Sequence, residues 1–588
     1  MTDEQQTPTK PQAGSLLTMS LTGIGDAWSA SRRLLVTILV LAAVQAVIPA
    51  GQVWVLAELV RTVGEQGVTN LREAALPLAG LVLLVGAGQP LVQMINLTDS
   101  RLRIGQFLDY QTRLVQAAGR LRPAQLSKPE TATNLQAAST ATDYLGSVPG
   151  DSLALVTSAI SAIGLCVAVC SMNLVAGLFV MGALIPIAAV CAYVARMQEK
   201  YWPRYAEVNR LAHYVTEQLL QERTGTELAL LGTGGKVAEI AAAHRKRAVG
   251  IFDAMLRAEF VWHLLAGLTT SILIAGALVT MVAGNLSGGL TAAAIAGVLS
   301  GLGAVRGTGY AYGGLLAAAP HFKLYRQALD LAPPEEPQTV RSDIDRLEVR
   351  DLALTYPGAS EPALHEVTLH AERGEVIALV GVNGAGKTTT INAILGSLTP
   401  DTGKVLIDGA DASAMTEPER LSHFGVLTQE YGRFEFTVRQ SISLGTPDRD
   451  VSDDHLADAL RAGLATDLVA GLPDGVDTQL GSQWKGVGLS GGQWQRLALA
   501  RVAIRNAGIW ILDEPTSAID AEAEREIFAQ LQATRAARIT IVVSHRAWTL
   551  RGMDRIYVFD QGRIVQTGTY EELLTAPGRF ADIFADQV

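Results

Sequence analysis

The stretch EVIALVGVNGAGKTTTINAIL, residues 375–395, decides the fold of the C-terminal half. A short apolar strand from Val376 to Val380 runs into Gly381-Val382-Asn383-Gly384-Ala385-Gly386-Lys387-Thr388, a GxxxxGK[ST] loop, and then into a helix. The glycines let consecutive backbone N–H groups curl around phosphate oxygens, and the helix N-terminus adds the positive end of its dipole. Lys387 supplies a point charge for the β- and γ-phosphates, and Thr388 offers a hydroxyl to Mg²⁺. Residues Gly381 to Thr389 are therefore the candidate ATP site, in an α/β domain that begins near residue 347.

Downstream, Ile509-Trp510-Ile511-Leu512-Asp513-Glu514 reads as a buried strand that delivers two carboxylates at its end. Asp513 is placed to hold Mg²⁺, directly or through water, and Glu514 is the candidate general base that polarises the attacking water. Adjacent side chains on a strand point to opposite faces, which would let one acid serve the metal and the other the water. By itself an acidic pair after a strand is more often a solvated turn; beside a phosphate loop the catalytic reading prevails.

Leu489-Ser490-Gly491-Gly492-Gln493 is the signature sequence of ABC transporter ATPases, and residues 347–588 resemble that family throughout. Further roles follow from the resemblance. Tyr356 is similar to the aromatic that stacks on adenine, and Gln429 to the Q-loop glutamine that links Mg²⁺ to the membrane helices. Ser517-Ala518-Ile519-Asp520 resembles the D-loop, and His545 the switch histidine at the γ-phosphate. In the family two ATPase domains close head to tail, so Ser490, Gly491, Gly492 and Gln493 would meet ATP held by the partner. Two features depart from the pattern. Trp494 follows the signature where a basic residue is commoner, and Gly481–Gly488 lacks the usual acidic motif. With Glu430-Tyr431-Gly432-Arg433-Phe434 they resemble a bacterial subgroup associated with peptide export.

The other half is apolar. Of 588 residues 49% are hydrophobic and only 18% charged, and neither 152–195 nor 261–305 contains Asp, Glu, Lys or Arg. A membrane-spanning helix needs about 20 apolar residues, so each uncharged stretch reads as two spans with a turn between. Six spans are expected, at about 34–60, 74–97, 152–171, 174–195, 259–283 and 289–317. The segments 98–150 and 196–258 are rich in Arg and Lys, whereas the opposite side carries only Arg61 and Arg72. Both basic segments, both termini and the ATPase domain are therefore expected in the cytoplasm. The segments read as helices that leave the membrane and return, with breaks at Pro123 and Pro129 in one, and at Thr224-Gly225 and Gly232-Thr233-Gly234-Gly235 in the other. Elements at these breaks are expected to reach the ATPase.

The domain reading is a polar N-terminal tail at 1–30, a six-helix all-α transmembrane domain at 31–331, a Pro-rich linker at 332–346, and an ATP-binding cassette at 347–588. No signal peptide is read in the polar first residues, and no peptidase domain ahead of the spans. A net charge of −10 without a basic stripe argues against nucleic acid as a partner. Cys166, Cys170 and Cys191 lie in the apolar block and read as small packing residues.

The layout resembles an exporter-type bacterial half-transporter. That implies a second half, a homodimer being favoured because every motif is complete, with a heterodimer left open. It also implies ATP-driven export of a hydrophobic or amphipathic substrate (peptide, lipid-like molecule or drug) by alternating access in the plasma membrane, among lipid. An ATP-gated sensor or channel is the alternative. Arg306, costly in hydrocarbon unless it snorkels from the cytoplasmic end, and the helix-mates Tyr310 and Tyr312 are the polar candidates along a cargo path.

Overall fold

A computed structural model describes residues 13–66, 71–126, 128–283, 288–335, 339–446, 450–516, 519 and 521–584. By its internal contacts the chain divides into two units, Met1–Leu121 with Lys128–Pro333, and Arg122–Ser127 with Pro334–Val588. The short segment Arg122–Ser127, expected within the membrane domain, thus groups with the α/β unit.

The first unit is helical. Its elements are α1 (Ala13–Gln66), α2 (Leu71–Ala118), α4 (Pro129–Leu145), α5 (Val148–Met172), α6 (Leu174–Gly182), α7 (Leu184–Leu220), α8 (Glu222–Leu230), α9 (Gly234–Ala283) and α10 (Gly288–Asp330), while α3 (Pro123–Leu126) belongs to the second unit. Each of the six expected spans falls in these helices, although Ala183 divides the fourth between α6 and α7. Among the described residues, Leu16–Val63, Ala74–Ala118, Leu174–Val194 and Gly234–Ala283 are long and apolar enough to cross a membrane. Leu76, Leu83, Ile185 and Ile272 on them face outward, as apolar side chains do where the solvent is lipid.

Two local expectations are corrected. Residues 13–30, read as tail, form the first part of α1, which turns at Ser31 (φ −159°) before continuing. This part is packed: Met19 and Ala27 are buried, and Asp26 accepts hydrogen bonds from Tyr110 (3.1 Å) and Arg113 (3.0 Å) of α2. Second, the break in 196–258 falls at Gln221, in extended backbone (ψ 133°), and Thr224-Gly225 lies inside α8. Gly225 is there for close approach: a Cβ on it would stand 2.8 Å from the Leu219 carbonyl oxygen. The expected second break, at Gly232–Thr233, does separate α8 from α9.

The second unit opens with β1 (Arg346–Leu354), β2 (Leu364–Glu372), β3 (Val376–Val380) and α11 (Lys387–Leu395), then β4 (Thr402–Ile407) and β5 (Ala410–Asp411). Next come α12 (Glu417–Leu421), β6 (Phe424–Leu427), α13 (Val438–Ser443), α14 (Asp453–Ala462), α15 (Thr466–Ala470) and α16 (Gly491–Ile504). The chain ends with β7 (Ile509–Asp513), α17 (Ala521–Ala533), β8 (Ile539–Val543), α18 (Ala547–Leu550), β9 (Arg555–Asp560), β10 (Arg563–Gly568), α19 (Tyr570–Thr575) and α20 (Arg579–Phe584).

Six strands form one sheet in the order β10-β9-β3-β8-β7-β6, parallel except for β10, and β2-β1-β4-β5 form an antiparallel sheet beside it. The parallel strands are apolar on both faces because both are covered. Ile377, Leu379, Ile509, Ile511, Ile539 and Ile541 pack toward α11 and the antiparallel sheet. Their neighbours Ala378, Val380, Trp510, Leu512 and Val542 pack toward α16 and α17. A third core joins α13, α14 and the outer face of α16.

Candidate functional site

The phosphate loop joins β3 to α11, and its shape is set by glycine. Gly384 and Gly386 have φ of 81° and 107°, a region costly for residues with a Cβ. On Gly381 a Cβ would stand 2.4 Å from the Phe559 carbonyl oxygen. Lys387, at the first turn of α11, is buried and donates to the carbonyls of Gly381 (2.7 Å) and Val382 (3.0 Å). Burial lowers its pKa, opposed by the nearby Asp513 and Glu514 carboxylates. Val382, Asn383, Gly384 and Thr388 are exposed, whereas Ala385 and Thr389 are buried. The hydroxyl of Tyr356 lies 3.1 Å from that of Thr389, so the expected adenine-stacking ring stands against the loop.

The acids stand at the end of β7, two strands from β3 in the sheet. Asp513 closes β7 and follows the register of Ile509 and Ile511, toward α11. The residue is largely buried, and its carboxylate accepts no hydrogen bond among the described residues. Burial raises its pKa, Glu514 adds to the rise, and Lys387 opposes it. A carboxylate at the end of β7 with no hydrogen-bond donor among the described residues fits a Mg²⁺ ligand, with the exposed Thr388 hydroxyl as the second oxygen donor. Residues Thr388, Asp513 and Gln429 thus present oxygen donors of the kind Mg²⁺ prefers.

Glu514 separates from Asp513 by another route than strand alternation. It lies just beyond β7 at φ 50°, a left-handed conformation costing a residue with a Cβ about 1–2 kcal/mol. Its backbone N–H donates to Val543 (3.2 Å) on β8. Its carboxylate accepts from His545 Nε2 (3.1 Å) and from the Gln429 amide (3.4 Å). The three expected catalytic residues, 85 and 31 positions apart along the chain from Glu514, therefore meet at one carboxylate. Burial and Lys387 lower the His545 pKa, while Glu514 works the other way. The contact with Glu514 requires a proton on Nε2.

The signature residues are engaged locally. Ser490 caps α16 by accepting from the Gln493 N–H (3.3 Å), and the Gln493 side chain accepts from the Ser490 N–H (2.8 Å). Among the described residues no hydrogen bond joins Ser490, Gly491, Gly492 or Gln493 to the phosphate loop of the same chain. Trp494 is buried against Leu497, Leu460 and Val438, so this departure from the family pattern is a core residue. Of the D-loop, Ser517, Ala518 and Asp520 lie outside the described residues and Ile519 is buried. The Arg306 side chain also lies outside them; Tyr310 is exposed and Tyr312 half-buried.

The contacts of four residues escaped the sequence reading. Tyr431 donates to the Gly491 carbonyl (3.0 Å), tying the segment after Gln429 to the signature. Arg501, on α16, donates to Gly432 (3.1 Å) and Ser441 (2.8 Å), with its guanidinium 4.6 Å from the Phe434 ring. Buried Glu524 accepts from Thr516 (2.5 Å) and pairs with Arg546, the neighbour of His545. Gln495 donates to the Glu514 carbonyl (3.1 Å). The available signal for Gln495 was a polar residue on the apolar α16 stripe of Ala498 and Val502.

A parallel sheet with a phosphate loop after β3 and paired acids after β7 makes the second unit a P-loop nucleotide-binding domain. Residues 364–517 match the family model described as ABC transporter. The ATP-dependent lipid A-core flippase of Thiobacillus denitrificans is 41% identical over 242 residues, 41% of this chain and 41% of that protein. The ABC multidrug transporter MDR2 of Trichophyton interdigitale is 40% identical over 272 residues, 45% of this chain and 20% of that protein. The chain thus spans less than half the length of the curated relatives it matches. A solved bacterial Atm1-family ABC exporter with ATP bound shares the fold, with a TM-score of 0.82 at 21% identity over 95% of this chain and 98% of that one. Residues 364–517 thus carry an ABC transporter domain, and the chain has the fold of a bacterial ABC exporter, with helices long and apolar enough to cross a membrane.

Proposed function

We propose that this chain is one half of an ATP-driven exporter that moves a hydrophobic or amphipathic substrate across the plasma membrane. The observation that carries the reading is the Glu514 carboxylate, held by His545 and Gln429 beside the loop that bears Lys387. In this proposal the loop from Gly381 to Thr389 wraps the phosphates of ATP and Tyr356 stacks on its adenine. Thr388, Asp513 and Gln429 would hold Mg²⁺, which would supply positive charge beside the phosphates. Glu514 orients the attacking water, and His545 meets the γ-phosphate.

Among the described residues no hydrogen bond joins Ser490 to Gln493 to the phosphate loop of their own chain, which accords with two copies closing head to tail, each signature meeting the other's ATP. ATP binding then closes the pair, and loss of the γ-phosphate lets it reopen. A substrate with a large apolar portion accords with the flippase and multidrug transporter among the relatives. The termini and both basic segments face the cytoplasm.

Glu514→Gln, purified in nanodiscs, is expected to bind ATP and trap it unhydrolysed, with turnover reduced at least about a hundredfold. Near-normal turnover would remove Glu514 as the base. Stimulation of wild-type turnover by lipid-like, peptide or drug candidates, with accumulation in inverted vesicles, would identify the cargo class.

A further inference from the structure

We propose that Gln495 is a positioning residue for Glu514, and that it makes this base sensitive to the state of the signature helix. The inference rests on the reading of Glu514 as the base. Glu514 sits at φ 50° just beyond β7, where nothing in regular strand pairing holds its carbonyl. Its N–H is fixed to Val543 on β8, and its C=O is fixed by the Gln495 amide at 3.1 Å. Gln495 is 1% exposed, so its amide is sheltered from water and leaving this bond unmade would be costly. The two main-chain bonds orient the peptide groups on either side of the Glu514 Cα, and with them the direction of the carboxylate.

Gln495 stands on α16 five residues after Ser490, about 7–8 Å along the helix axis. A helix transmits displacement of its first turn to its second, and a hydrogen bond weakens steeply over a few tenths of an ångström. The first turn of α16 carries the signature and receives the Tyr431 hydroxyl at Gly491. Nucleotide engaged by the partner at Ser490 and Gly492 therefore acts on the Glu514 carbonyl through Gln495. Hydrolysis in one site then depends on occupancy of the other within a single chain, without passage through the membrane helices.

The test uses the full chain in nanodiscs. Gln495→Met keeps the length and the burial but cannot donate. It is expected to lower kcat about tenfold while the KM for ATP changes less than about twofold, the size of effect one lost buried hydrogen bond supports. Gln495→Glu adds a pH signature. Its acid form donates as the amide does and its anion cannot, and burial raises the pKa of the introduced acid. Its kcat deficit should shrink as the pH is lowered from about 8 to about 6, relative to wild type at each pH. In the Glu514→Gln background, Gln495→Met should add no further loss. Wild-type kcat in Gln495→Met overturns the proposal. So does a loss shared between kcat and KM with no recovery of Gln495→Glu at low pH, the mark of a merely structural glutamine. Normal turnover in Glu514→Gln alone would instead strike the base assignment and leave the Gln495 measurements to stand apart.

Discussion

At the level of single residues the site is governed by how each group is held. His545 has its pKa lowered by burial and by Lys387, against the pull of Glu514. The folded protein then binds fewer protons at this ring than the unfolded chain does. The ring's contribution to stability is therefore full above 6.5, its ordinary value, and is lost as pH falls through the lower folded value. Turnover should follow the same direction, because a protonated ring beside Glu514 ties up the base as an ion pair. The acid limb of kcat/KM is expected below pH 6.5; a pH–rate profile with that limb above this value would show that His545 does not control it. Gly386 is a second case. At φ 107°, with Leu364 Cδ2 only 2.8 Å from any added Cβ, Gly386→Ala forces strain into the loop. Equilibrium nucleotide binding should weaken about tenfold, matching a strain of about 1–2 kcal/mol, and unchanged affinity would show that the loop can relax.

At the level of elements, the signature helix α16 organises the site. Its N-terminus carries the capping box of Ser490 and Gln493, its middle reaches Glu514 through Gln495, and its far end clamps Gly432 and Ser441 through Arg501. Trp494 fixes the helix on its outer side. Trp494→Arg, the kind of residue commoner in the family, would place an unpaired guanidinium in the core of α13, α14 and α16. A loss of about 3 kcal/mol or more is expected, read as a lower Tm of the full chain; an unchanged Tm would mean that the side chain escapes to solvent. These elements also show what was legible in advance. The phosphate loop was readable because its chemistry is contiguous, strand to loop to helix within 21 residues. Tyr431–Gly491 and Gln495–Glu514 join positions 60 and 19 apart, so only the packing of α16 against β6 and β7 brings them together. The backbone of Glu514 was misjudged for a related reason: strand periodicity stops at Asp513, and the next residue takes its direction from β8 and α16 instead.

At the level of the whole molecule, legibility follows the solvent. The spans were readable because a lipid environment demands long uncharged runs, whereas the packed helix at 13–30 was hidden because its polar residues are used internally, Asp26 on Tyr110 and Arg113. Charge distribution makes one further demand. Arg and Lys crowd 98–150 and 196–258 and are scarce in the turns on the other side, and moving them across a bilayer would be costly. The chain should therefore insert with Lys246 in the cytoplasm and Arg61 outside, both on exposed helix surface. Its native thiols are poor competitors for a polar reagent, since Cys166 and Cys191 are buried and Cys170 is half-buried. With a membrane-impermeant maleimide, Arg61→Cys is expected to label in intact cells and Lys246→Cys only in inverted vesicles or after permeabilisation. Labelling of Lys246→Cys from outside intact cells would reverse the orientation, put the ATPase domain away from cellular ATP, and undo the exporter proposal at its root.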